Sequence, residues 1–185
     1  GAAPLKTAKE PREKHRLEPY FNFGGRKFFN PCIMKKEYFK FVSAVHLFLV
    51  KDGKILLLRR FNTGYEDGNY SVPAGHIDGN ERATTAMLRE AKEEAGVVIN
   101  KDDIRMVHVM HRISRGTHPS GADERIDFFF EATKWEGEPR IMETDKCDDL
   151  SWFPINQLPQ NVISYVKAGI ENYGNKISFS EFGWS

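Results

Sequence analysis

The sequence predicts a mixed α/β sandwich in one layer-packed domain, and three observations carry the prediction. An apolar, β-branched stretch over residues 41–60 is split by Asp52-Gly53. A run without Pro or Gly, residues 84–95, stops at Gly96. Further strand-like stretches then precede a final helical segment. Strands, a central helix, more strands and a terminal helix fit helices packed on a sheet.

Taken in order, residues 1–33 mix Pro, Lys and Glu with a later aromatic cluster and show neither strand alternation nor a helical stripe. They read as an N-terminal extension. Met34, followed by Lys35 and Lys36, looks like a translational start, which would make 34–185 the folded domain and 1–33 an appended or upstream segment. The competing reading packs Tyr20, Phe21, Phe23, Phe28 and Phe29 onto the domain or a partner, because so many aromatics are costly to leave in water. Both readings stand open on the sequence.

Strands are expected at 41–50 and 55–60, joined by a hairpin because Asp-Gly tolerates the positive φ such a turn needs. Residues 62–69 are polar and glycine-containing, hence a loop, and 71–75 lead through a short strand to a turn at 77–80. Residues 84–95, rich in Ala, Glu, Arg, Leu and Met, form a helix with Gly96 as its stop. Strands follow at 104–113 and 125–133 around a loop at 116–124, then at 150–153. A last helix runs from about Gln160 to Tyr173, with Asn161 at its N-cap.

Composition narrows the function classes. Hydrophobic content of 40%, charged content of 29% and a net charge of +1 suit a folded globular protein and argue against disorder. The longest apolar run, 45–50, is broken by His46 and falls far short of the roughly 20 residues that span a bilayer. Cys32 and Cys147 are too few for a disulfide scaffold and lack a zinc-type pairing, which fits a reducing, cytoplasmic setting. Ten basic against four acidic residues precede position 41, leaving seventeen against twenty-two for the body. An acidic body disfavours nucleic-acid binding by bulk charge, so an anionic substrate must be met by local devices such as a metal or a few arginines.

Glu90, Glu93 and Glu94 stand at i, i+3 and i+4, on one helix face. Like charges so placed repel, and they occupy the last turns, where the helix dipole also disfavours acids; each effect costs roughly a few tenths of a kcal/mol. A divalent cation on oxygen ligands would offset this. A solvated acidic face eased by Arg82, Arg89 and Lys92 is the bland alternative.

The surroundings decide between them. From Gly75, five residues lead to Glu81, seven more to Arg89-Glu90, then come Ala91, Lys92, Glu93-Glu94, Ala95, Gly96 and the aliphatic Val97. This 23-residue pattern resembles the signature of the Nudix hydrolases at every charged and glycine position, and the later stretch from Trp135 to Glu143 narrows the resemblance to their MutT-like subgroup. Ala91 departs from it, being smaller than the usual bulky aliphatic. The resemblance implies an α/β/α sandwich with a mixed sheet, a central box helix and a C-terminal helix. It implies hydrolysis of a diphosphate linkage in a nucleoside di- or triphosphate, oxidised purine nucleotides among the candidates, with Mg²⁺ or Mn²⁺.

Carried over by position, Glu90, Glu93 and Glu94 resemble metal ligands, one of which orients or deprotonates water, and Arg89 resembles the arginine that fixes a box glutamate. The Ala74 carbonyl resembles a backbone ligand, Glu81 a loop brace or a ligand for a further ion, and Gly75 and Gly79 a turn that passes close to metal without a Cβ. Trp135-Glu136-Gly137-Glu138-Pro139 followed by Glu143 is similar to a MutT stretch whose later glutamate reaches the metal; an exposed loop acid is its plain alternative. Arg60 is similar to a phosphate-binding arginine or else pairs with an acid at the sheet edge, and Asn161 resembles a purine-reading asparagine or serves only as a cap.

The proline of the ADP-ribose branch and the tyrosine of the dinucleoside-polyphosphate branch are both missing from 112–115. The six histidines form no ligand spacing, and His108, His111 and His118 read as structural or substrate-contacting. A non-catalytic nucleotide-binding module on the same fold, a hydrolase of another nucleoside-diphosphate derivative, and RNA binding through the basic N-terminal segment are the alternatives. A homodimer is compatible with the sequence.

Overall fold

The computed structural model describes residues 38–114 and 124–184, together with two short strands, β1 (Asn22–Phe23) and β2 (Arg26–Lys27). The chain divides into an N-terminal unit, Gly1–Phe39, and a larger unit, Lys40–Ser185. In the first, β1 and β2 pair antiparallel. The start at Met34, the packing of Tyr20, Phe21, Phe28 and Phe29, the side chain of Phe23, Cys32, His118 and most of the 116–124 loop lie outside the described residues.

In the larger unit the strands are β3 (Val42–Lys51), β4 (Lys54–Arg60), β5 (Tyr70–Ser71), β6 (Ala74–His76), β7 (Ile104–Ile113), β8 (Glu124–Ala132), β9 (Cys147–Pro154) and β10 (Phe179–Phe182). The helices are α1 (Ala83–Ala95) and α2 (Ser164–Gly174). Among the described residues eight strands make one sheet in the order β10-β7-β8-β3-β4-β5, with β6 also on β3 and β9 on β4. β3 runs parallel to β8 and β10 parallel to β7, and the remaining pairs are antiparallel, so the sheet is mixed. The β3–β4 turn has positive φ at both Asp52 and Gly53, as a two-residue hairpin requires.

Alternation along β3 explains the layers. Val45, Leu47 and Leu49 pack with Ala86, Met87, Ala91 and Ala95 of α1. Phe48 joins Phe129 and, from α2, Val166 and Ile170 on the other side. Successive side chains of a strand face opposite ways, so one central strand serves both helices. α1 ends where Gly96 turns left-handed at φ 69°, its N–H donating to the Lys92 carbonyl and the Val97 N–H to the Ala91 carbonyl. Among the described residues no helix is long and apolar enough to cross a membrane.

Three expectations need correction. α2 starts at Ser164 rather than near Gln160, with Ile163 at its N-cap and no side-chain cap. The Tyr70 N–H bonds the Asn161 carbonyl and the Ile163 N–H bonds the Tyr70 carbonyl, so this backbone is engaged with the sheet before the helix begins. Asn161 is therefore not the cap. Strand β9 starts at Cys147, not 150, and β10 was not expected at all.

Candidate active site

Helix α1 buries its alanine and methionine face against β3, while Glu90, Glu93 and Glu94 line a cleft beside β4. The observed place of the Glu90 carboxyl depends on Gly75 in β6, because a Cβ there would lie 1.9 Å from Glu90 Oε1 and 2.5 Å from Oε2. At Gly79 a Cβ would meet no protein atom within 4 Å.

Arg89 offsets the repulsion among the acids. Its Nη1 donates to Glu90 Oε1 at 2.5 Å and to Glu93 Oε2 at 3.1 Å. Its Nε and Nη2 donate to the two Glu81 oxygens at 3.1 and 3.0 Å, and Nη2 also to the His76 carbonyl at 3.1 Å. Glu81 in turn accepts the Asp78 N–H at 3.1 Å, so the segment leading into α1 is closed on itself. The bonds from Arg89 hold the Glu81 carboxyl below its usual range.

Glu94 is held differently. It is mostly buried, and its Oε2 accepts the Ala74 N–H at 2.8 Å. Burial pushes its carboxyl up to about 8, overcoming that hydrogen bond, with Glu90 and Glu143 adding repulsion. Burial raises Glu90 as well, against the pull of Arg89.

The facing wall comes from β4 and the turn before β9. At the β-bulge between Arg59 and Arg60, the Arg60 Nε donates to the Tyr65 carbonyl at 2.7 Å and its Nη2 to Thr63 Oγ1 at 3.0 Å. The Tyr65 ring centre lies 5.5 Å from the guanidinium carbon. Glu143 Oε1 accepts a hydrogen bond from Lys146 Nζ at 2.8 Å. Glu90, Glu93, Glu94, Glu143, Arg60 and Lys146 thus line one cleft of about 330 Å³. A larger groove of about 560 Å³, beside Arg105, Tyr173 and Lys176, has no acid on its lining, so chemistry rather than size singles out the acidic cleft.

Four carboxylates around one cleft are the hard oxygen donors that Mg²⁺ or Mn²⁺ takes. A carboxyl raised by burial is what a nearby cation would bring back down. Each acid is meanwhile held by an internal partner, and among the described residues no three acidic, histidine or cysteine side chains converge into a finished ligand set. The residues fit a divalent ion, given side-chain adjustment.

The NUDIX domain family model matches residues 40–170. The chain belongs to the Nudix family. It is 26% identical over 152 residues to the ADP-ribose pyrophosphatase of Methanocaldococcus jannaschii, covering 79% of this chain and 85% of that protein. A MutT-like protein of Streptomyces ambofaciens is 27% identical over 109 residues, 55% of this chain and 67% of its own. Among solved structures, the MutT NUDIX hydrolase of Burkholderia pseudomallei superposes with a TM-score of 0.64 at 27% identity, over 71% of this chain and 97% of that one. The protein is accordingly a MutT-like Nudix pyrophosphohydrolase, an enzyme of acid anhydrides in phosphorus-containing substrates.

Of the sequence-predicted residues in this Nudix protein, Glu90, Glu93, Glu94, Glu143 and Arg60 share the cleft, and Arg89, Glu81, Ala74 and Gly75 support it. Gly96 ends the helix. Asn161 is not on the cleft lining; its Nδ2 donates to the Gly68 carbonyl at 2.8 Å, tying it to the 62–69 loop. Sequence reasoning missed Thr63, Lys146 and Cys147 on the lining. Lys146 stands three residues after Glu143, a spacing that could have suggested an ion pair within one turn. His108 bonds the Ile177 carbonyl and Ser180 Oγ, and His111 approaches Glu124, so these two histidines tie strands together.

Proposed function

We propose that this Nudix enzyme hydrolyses the diphosphate linkage of a nucleoside di- or triphosphate with Mg²⁺ or Mn²⁺, oxidised purine nucleotides among its candidate substrates. The observation that carries the reading is the gathering of Glu90, Glu93, Glu94 and Glu143 with Arg60 and Lys146 on one cleft. Those four acids would hold the ion, which when bound neutralises charge on the diphosphate and activates water. Arg89 keeps Glu90 and Glu93 oriented, and the Ala74 N–H fixes Glu94. Arg60 braces the 62–69 loop at the cleft mouth, where base and leaving group are distinguished. Water attacks phosphorus, a glutamate takes its proton, and the bridging oxygen leaves with the departing phosphate or nucleotide.

A second reading, a nucleoside diphosphate joined to another group, is favoured by the archaeal relative named ADP-ribose pyrophosphatase, which aligns with 79% of this chain. One screen separates them: nucleoside di- and triphosphates, oxidised purine nucleotides, ADP-ribose, dinucleoside polyphosphates and nucleotide sugars, each with Mg²⁺ and with products identified. Glu93→Gln and Glu94→Gln are each expected to lower kcat about 10²- to 10⁴-fold. Full activity in both variants, or in excess chelator, would defeat the reading.

A further inference from the structure

Lys146 is the cleft cation whose partner has a competing use. Arg60, the other cation on the lining, is committed to the Tyr65 carbonyl and to Thr63. Lys146 instead holds Glu143, at 2.8 Å, across a turn closed by the Lys146 and Cys147 N–H groups on the Glu143 carbonyl. Both side chains are substantially exposed, about half for Lys146 and a third for Glu143, so the pair exchanges partners readily. A flexible ammonium with three donors suits a phosphate oxygen as a point charge. Glu143 is also the one acid on the lining that does not come from α1.

We propose that Lys146 is a diphosphate-binding residue kept over the cleft by Glu143, and that it passes to a non-bridging phosphate oxygen when Glu143 turns to a bound divalent ion. The swap leaves neither charge unpartnered: the carboxylate goes from ammonium to metal and the ammonium from carboxylate to phosphate. This rests on the diphosphatase reading above.

The test uses the full chain, with Mn²⁺ and a non-hydrolysable α,β-methylene nucleoside diphosphate as calorimetric probes. K146M is expected to tighten Mn²⁺ alone by about two- to fivefold, the range an exposed pair supports, by removing the competitor for Glu143. It should weaken the nucleotide in the presence of Mn²⁺ about tenfold or more, as the loss of a charged hydrogen bond does, with K146R recovering most of the affinity. In an E143Q background the tightening of Mn²⁺ by K146M should vanish. Nucleotide affinity unchanged in K146M, or Mn²⁺ tightening that persists without Glu143, overturns the swap. A wild-type chain that binds neither probe would instead bring down the diphosphatase reading itself.

Discussion

The two faces of the sheet bury carboxylates to opposite effect. On the α1 face, Glu94 is mostly buried with a single backbone N–H for support, and burial drives its carboxyl up to about 8. On the α2 face Asp127 is fully buried, and burial should raise it further. It is held at about 2 because His46 and Arg112 overcome that penalty. The Arg112 Nε donates to Asp127 Oδ2 at 2.6 Å, its Nη1 donates to Ser114 Oγ at 2.5 Å, and its guanidinium lies 3.9 Å from the Tyr165 ring centre. His46 Nε2 stands 3.4 Å from Asp127 Oδ1 while its ring stacks on Phe129. Both faces bury a carboxyl, but Asp127 has His46 and Arg112 beside it, whereas Glu94 is hydrogen-bonded to a backbone N–H alone. Burial alone therefore does not mark a functional acid, and burial without a compensating cation is the better pointer to one.

The largest effect that would test this contrast is on stability. Asp127→Asn should destabilise the protein by about 3–5 kcal/mol, because the Arg112 charge is then left buried without its anion. Urea unfolding measures it. A change below about 1 kcal/mol would mean that the α2-face network is not self-compensating and would erase the distinction.

A more gradual effect, opposite in sign between the faces, lies in the pH dependence of the metal-free protein. The Glu94 carboxyl moves from an ordinary 4.5 to about 8 on folding. Below pH 4.5 both states hold the proton; between 4.5 and 8 the unfolded chain releases it first, so stability falls as pH rises, by at most about 1.4 kcal/mol per pH unit. Asp127 works the other way: its contribution is present above 3.8 and is lost as pH falls through about 2. Denaturation curves between pH 4.5 and 8 should show the downward slope, and Glu94→Gln should flatten it. The same slope in that variant would place the buried charge elsewhere.

The same contrast governs what the sequence made legible. The acids on α1 were legible because their i, i+3, i+4 spacing sits inside a linear pattern that resembles the Nudix signature, and such a pattern survives without coordinates. Glu143 joined them only through the resemblance of the Trp135 to Glu143 stretch to a MutT one, again a linear pattern. Asp127, Arg112 and His46 come from β8, β7 and β3, and only the parallel β3–β8 register together with the β7–β8 pairing brings them within reach. No spacing along the chain encodes that. Lys146 was passed over because its role depends on which way a turn faces, and β10 because its four residues gain a partner only by pairing parallel to β7. The late start of α2 has a similar origin: Asn161 reads as a cap by residue type, yet its backbone is claimed by Tyr70.

The smallest expected change in stability accompanies a large one in activity, and it tests the α1 face by geometry rather than charge. The three atoms nearest a Cβ built on Gly75 all belong to the Glu90 carboxyl group, at 1.9 to 2.5 Å. The end of a flexible side chain can rotate away, so Gly75→Ala should shift unfolding free energy by less than about 1 kcal/mol. The displaced carboxylate must nevertheless leave its place beside Arg89 Nη1, and a displacement of about 1 Å at a reacting centre can cost roughly 100-fold in rate. Parallel denaturation and initial-rate measurements on the preferred substrate of the screen separate the two. If stability fell by several kcal/mol along with the rate, Gly75 would be a packing requirement of β6 under α1. If neither changed, Glu90 would not need its observed position, and the case for it as part of the ion-binding set would fail.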